Sequence, residues 1–381
     1  MSKSLTARLL LAVVLAICAS GTFVPERDVA LGAGCTVTVR ASVDKVDGRS
    51  KAYQHVGPGS VVCLAAGPRG NIKLFNLHGS ADRPIVVRND GGPVTISGTQ
   101  FGDGGIIIGG SSFLRLTGSG TTHVCGAEYD ATEQACGIAI DGAKKGIKIV
   151  TDKGGVHDLE IDHVAVLRVS QKVKTRGILI HPLPGQVISG LHIHHNFVTN
   201  TLAEGIYLGS EPHGRPFASL AKLERVEVDH NLVKDVGYDG IKVKVAIADV
   251  SVHDNVILNA GISRTPAHQG GIKLAMSVGD YYSNTVVGAV EGIRMGRTIP
   301  SATTRYFNNL VANVVDVGIE ADEAGAQVFN NMVVSSAGAG IRATGKGATV
   351  SNNVVVAAAL PIDVTRGTAT GNLVLRLAQG S

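Results

Sequence analysis

Gly205-Ile206-Tyr207-Leu208, Gly240-Ile241-Lys242-Val243, Gly271-Ile272-Lys273-Leu274 and Gly292-Ile293-Arg294-Met295 are four versions of one phrase within residues 205–297. Apolar residues at the second and fourth positions alternate with a variable third, the period of a strand with one buried face. If such strands stack in parallel, their third positions form an outward column of Tyr207, Lys242, Lys273 and Arg294. Parallel neighbours are about 4.8 Å apart, so three cations would share one exposed face over about 10 Å. That column is the candidate active surface.

Working outward, the Gly-Ile phrase recurs at Gly105, Gly137, Gly177, Gly318 and Gly340. A second marker keeps the same period: Asn196, Asn231, Asn255, Asn284, Asn309, Asn331, Asn353 and Asn372 each end one short apolar run and precede another. Two markers locked to one period define a repeat in which every coil has a strand ending at Asn, a strand after it and a strand starting at Gly-Ile. Stacked Asn side chains at a bend can hydrogen-bond along the ladder. The expected fold is all-β: a single-domain right-handed parallel β-helix, a solenoid with an Asn ladder. Nearer the N-terminus, Ile85-Val86-Val87 and Val94-Thr95-Ile96 read as two strands separated by an Asn89-Asp90-Gly91-Gly92 turn.

Composition agrees with many short strands and tight turns. Among 381 residues there are 49 Gly and no Trp, and the net charge is only +4, too small to point to nucleic acid. Residues 1–21 read as a secretory signal, with Lys3 and Arg8 ahead of the apolar run Leu9–Ile17 and small residues after it. Residues 22–381 are then the β-helix domain, with no membrane span once the signal is removed. Leu15-Ala16-Ile17-Cys18 leaves a lipoprotein alternative, weakened by the bulky Ile17. The four remaining cysteines suggest two disulfides in a secreted or periplasmic protein, with sequence proximity favouring Cys35–Cys63 and Cys125–Cys136.

The segments Gly57–Gly67, Gly79–Arg88 and Pro93–Gly98, together with the coil markers, resemble the pectate-lyase-like superfamily. The opening is similar to that of polysaccharide lyases of the alginate lyase and chondroitinase B type, and also to that of mannuronan epimerases and β-helix proteins of no known activity. The resemblance implies that the Gly-Ile sheet is the floor of a substrate cleft. It also implies a Lys base and an Arg on adjacent coils, a pattern that Lys273 and Arg294 match, with Lys242 as an alternative base. Calcium often bridges the substrate carboxylate in that family. Here Glu204 and Asp239 are the near acids, too few for calcium unless a loop adds ligands, so the expectation leans to no cofactor, with Lys242 in calcium's place. Lys244, Tyr207, His181, His268 and Arg264 complete the expected substrate-binding set. The segment Glu211-Pro212-His213-Gly214-Arg215 is similar to the Asp-Pro-His motif of the epimerases, with Glu in place of Asp.

β-Elimination of a uronate needs its carboxylate neutralised, the adjacent proton removed and the leaving oxygen protonated. A Lys among other cations has its neutral form favoured, which suits a base; an Arg stays charged and can hold the enolate. The expected function is therefore an exported, monomeric polysaccharide lyase whose partner is an acidic polysaccharide. A competing account has Glu204, Asp239 and Glu291 neutralise the cations as an ordinary solvated face. Rivals are a mannuronan C5-epimerase-like enzyme, a glycoside hydrolase using Glu320 and Asp322, and a non-catalytic carbohydrate-binding or structural β-helix. Asp162, His194, Asp229 and His253 share one outward position of the strand ending at Asn, with His192 beside them. Such a set could bind zinc, but it lies away from the Gly-Ile sheet and reads better as a structural ladder.

Overall fold

A computed structural model describes residues 34–376 apart from 98–103, 121–123, 153–154, 170–174, 211–213, 300–302, 335 and 357. The signal segment, Cys18 and the Glu211-Pro212-His213 motif lie outside the described residues. Among the described residues no helix is long and apolar enough to cross a membrane. The strands form two parallel sheets, one of twelve strands and one of twenty-three. Each coil contributes one strand to the first sheet and two to the second, joined by the right-handed crossovers that parallel strands adopt.

The twelve-stranded sheet is the Gly-Ile sheet. Ile106, Ile147, Ile178, Ile206, Ile241, Ile272, Ile293, Ile319 and Ile341 stack in register inside it, all fully buried. Each contributes about 1.5–3 kcal/mol by leaving water. The preceding glycine marks the corner where coils approach most closely. A Cβ on Gly240 would lie 2.6 Å from the Gly271 carbonyl oxygen, and one on Gly205 would lie 2.7 Å from that of Gly240.

At another corner the Asn side chains form the expected ladder. Nδ2 of Asn231 donates to Oδ1 of Asn255 at 3.0 Å, and Asn255 to Asn284 at 3.0 Å. The residue just before the corner position turns the chain in the left-handed region: His163, ahead of Val164, and His195, His230, Asp254 and Ser283, each ahead of an Asn, all have φ between 47° and 53°. Asn255 also donates to the carbonyls of Val228 and His253, each at 2.8 Å. Asn255→Ala leaves these buried groups unsatisfied and is expected to cost about 3 kcal/mol or more. The loss is read as a lower urea midpoint, with the nearest coils fraying first in hydrogen exchange.

Two expectations need correction. Ile138–Ala143 belongs to the twenty-three-stranded sheet, paired with Val94–Ile96 and with Val164–Val169. The phrase that continues the Gly-Ile series in that coil is Gly146-Ile147. In addition, Ile85–Ile96 is one continuous strand. Its turn-type residues Gly91 and Gly92 take positive φ, and the pairing with Val61–Arg69 shifts register there, so pairing with the neighbouring coil overrides local turn chemistry. Both disulfides form as expected, Cys35–Cys63 and Cys125–Cys136, with Cα separations of 5.6 and 5.0 Å.

Candidate active site

The expected column exists. Leu179, Tyr207, Lys242, Lys273, Arg294, Glu320 and Arg342 lie directly opposite one another on successive strands. It is not the open face the alternation suggests. Tyr207 and Lys242 are each 1% exposed, and Lys273 and Lys244 are buried as well. The loop 261–269 covers this part of the sheet and brings His268 Nδ1 to 2.9 Å from Lys242 Nζ. Tyr207 is therefore no open sugar platform: Arg176, Lys242 and Lys244 place their charges 5.1, 5.5 and 5.8 Å from its ring centre.

Lys242 sits in a closed network. Its ammonium is 3.0 Å from Glu204 Oε1 and 2.8 Å from Asp239 Oδ2, and both acids are fully buried. Arg176 Nε donates to the other Glu204 oxygen at 2.7 Å. Burial works against the charge of Lys242, but Asp239 and Glu204 outweigh it and raise its pKa. Both acids favour the protonated form of Lys242, which suits it to a charge-balancing role more than to that of a base. Burial likewise pushes the Glu204 carboxyl up, yet His268, Lys242 and Arg176 hold it well below its ordinary value of 4.5.

Arg294 is also compensated: it pairs with Glu291 on its own strand, and its Nε is 2.6 Å from Glu320 Oε2. Glu320 is shared with Arg342 at 3.4 Å, and Asp322 accepts from Thr344. Lys273 differs. Of Lys242, Lys273 and Arg294, it is the one with no carboxylate at ion-pair distance among the described residues, and its ammonium donates to the Ala267 carbonyl. Burial lowers its pKa from 10.5, and Lys242 and Arg294 lower it further against the pull of Asp239 and Glu291. The competing account of internal neutralisation therefore describes Lys242 and Arg294, and does not describe Lys273.

Beside this network the same sheet carries a cleft of about 410 Å³, lined among others by Lys145, Lys148, Arg176, Leu179, His181 and Tyr207. The exposed His181 ring is 6.4 Å from that of Tyr207. Arg264 is exposed on the covering loop. Sequence reasoning missed Lys145, Lys148 and Arg176, although a signal existed: Lys145 and Arg176 immediately precede a coil glycine, as Glu204, Asp239 and Glu291 do. Calcium does not fit Glu204 and Asp239. Their oxygens already face Lys242, Arg176 and the Gly270 amide at 2.7–3.0 Å, and two acids fall short of the six or more oxygens that calcium takes.

On the other sheet a cleft of about 440 Å³ is lined by Arg115, Glu160, His192, Arg225 and Glu227 among others. Its charges pair internally, Arg115 with Glu160 at 3.0 Å and Arg225 with Asp158 at 3.0 Å. The His-Asp array beside it forms a ladder: Asp162 bonds Arg115 and His163, and Asp229 bonds His192 and His230.

This architecture defines a right-handed parallel β-helix. A family model described as "Right handed beta helix region" matches residues 176–355. Among solved structures the chain is similar to an alginate lyase from a Paenibacillus species, with 16% identity over 87% of this chain and 98% of that one and a TM-score of 0.48. It is also similar to a pectate lyase, at 13% identity over 88% and 80% with a TM-score of 0.47. A lacto-N-biosidase from Eubacterium ramulus matches at 14% identity over 84% of this chain and 63% of that one, with a TM-score of 0.47.

Proposed function

We propose that the chain binds an acidic polysaccharide along the twelve-stranded sheet and cleaves it by β-elimination. The observation that carries this reading is a cleft lined by Lys145, Lys148 and Arg176 together with Asp152, on the same sheet as a buried lysine amine that has no carboxylate at ion-pair distance among the described residues. Lys145, Lys148 and Arg176 attract the uronate carboxylates. The loop 261–269 lifts, breaking the contacts of His268 with Lys242 and of Ala267 with Lys273. The neutral amine of Lys273 then removes the proton next to the carboxylate, the bond to the leaving oxygen breaks, and the new ammonium protonates that oxygen. Arg294 exchanges one of its two carboxylate partners for that of the substrate and holds the developing enolate. The charge of Lys242 orders Glu204 and Asp239 in place of a calcium ion, so chelators are expected to leave turnover unchanged. Two disulfides suit a secreted or periplasmic setting.

The test is product analysis on alginate, pectate and glycosaminoglycans. Ultraviolet-absorbing unsaturated ends support the lyase. A changed uronate composition without new ends makes the chain an epimerase, and binding with neither makes it a carbohydrate-binding module.

A further inference from the structure

Three successive coils place a histidine at the left-handed position just before the corner residue, Val164, Asn196 or Asn231: His163, His195 and His230. Because the coils are in register, the rings stack. Their centres are 5.3 and 4.8 Å apart, with planes within 1° and 2° of parallel. Each ring is anchored through Nδ1, His163 on Asp162 at 2.7 Å, His195 on His194 Nδ1 at 2.8 Å and His230 on Asp229 at 2.8 Å. Tautomers follow from these anchors. His194 donates its Nε2–H to Glu160 at 3.2 Å, so its Nδ1 accepts from His195. His230 donates Nδ1–H to the Asp229 carboxylate. In the neutral rings, Nε2 of His195 and Nε2 of His230 are therefore bare lone pairs.

Both lone pairs face a third acceptor. Glu128 Oε1 is 3.4 Å from His195 Nε2 and 3.7 Å from His230 Nε2. Glu128 belongs to the loop closed by the Cys125–Cys136 disulfide, and that loop is docked by a 2.8 Å bond from the Ala127 amide to the His230 carbonyl. All three donor atoms lie within 4.8 Å of one another. Three electron-pair donors gathered this closely can share a cation between them.

We propose that Glu128, His195 and His230 bind one zinc ion, which ties the disulfide loop to the corner of the solenoid. Zinc takes nitrogen and oxygen ligands at about 2.0–2.2 Å in a tetrahedron, which sets ligand atoms about 3.4 Å apart; the Glu128 contacts at 3.4 and 3.7 Å match that edge, and the two stacked rings turn from parallel so that their in-plane lone pairs meet at the ion. The Asp229 contact gives His230 the carboxylate partner that orients metal-bound histidines. Three protein ligands leave the fourth position to water, and the partly exposed Glu128 and His230 leave a route of entry. A neighbouring triad, Glu160, His192 and His194, is a poorer site. Arg115 already sits 3.0 Å from Glu160, and Asp229 occupies His192 Nε2 at 2.7 Å.

The test is calorimetric titration of the chelator-treated full chain with zinc chloride, alongside cobalt(II) absorption spectra and thermal unfolding. The wild type is expected to bind one equivalent, to give the intense visible bands of tetrahedral cobalt, and to unfold at higher temperature with zinc present. Glu128→Gln, an isosteric change at an exposed residue, and His230→Ala are expected to weaken binding about tenfold or more, while His192→Ala binds as the wild type does. Glu128→Gln folding normally yet binding zinc like the wild type, no saturable zinc binding by the wild type, or loss of binding in His192→Ala alone would each overturn the proposal. None of these outcomes depends on the lyase reading.

Discussion

Lys242→Met is expected to destabilise the fold by about 3–5 kcal/mol, because removing one member of a buried ionic network strands the others. Glu204 and Asp239 are fully buried and lose the ammonium that stands 3.0 and 2.8 Å away. Arg176 still reaches one oxygen of Glu204, whereas Asp239 keeps chiefly the Gly270 amide at 2.9 Å. A lower urea midpoint at unchanged slope reads the loss. Adding Glu204→Gln and Asp239→Asn to the same chain is expected to return most of it, because no buried charge is then left alone. The network also sets an acid limit. The Glu204 carboxyl is held below 4.5 in the fold, so its stabilising contribution is full above that value and is lost as pH falls below it. In the Glu204→Gln chain this part of the acid sensitivity disappears.

Lys273→Ala is expected to lower turnover of a polyuronate by about 10²–10⁴-fold, the usual contribution of a general base, while binding of the polymer changes little. Lys273→Arg is expected to give no rescue, since a guanidinium does not deprotonate in this range. That pair separates chemistry from electrostatics: a merely attractive role for Lys273 predicts that Arg works and that affinity, not turnover, falls in the Ala variant. Ala replacement removes an ammonium whose described partner is the Ala267 carbonyl, so the fold loses far less than at Lys242.

The solenoid was legible because its two markers answer to backbone requirements. A coil glycine avoids overlap with the next coil's carbonyl, and each ladder Asn satisfies backbone groups at a corner. Column order followed from the period of two. What the phrase Gly-Ile does not encode is which sheet it enters: the one at Gly137 leads into the twenty-three-stranded sheet, and Gly146-Ile147 continues the series. Burial of the column was illegible for a different reason: the loop 261–269 folds back onto Lys242 and Lys273, and nothing in the alternation of a strand specifies a distant loop. The partners of Lys242 and Arg294 were visible one residue before their glycines, and Arg176 occupied the same position unnoticed. Likewise His163, His195 and His230 each precede a corner residue, a spacing that foretells stacked rings once the corner is known to be in register.

The decisive measurement is the initial rate at which ultraviolet-absorbing ends form from polyuronates, followed against pH for the wild type and for Lys273→Ala. Burial and neighbouring cations pull the Lys273 ammonium below 10.5. The wild-type rate should therefore climb with pH as the neutral amine gains population, reaching its plateau before that value, while the folded Ala variant stays near background throughout. A folded wild type that forms no such ends from any polyuronate, or an Ala variant that matches its rate and pH profile, contradicts the assignment of this sheet as a lyase surface with Lys273 as its base.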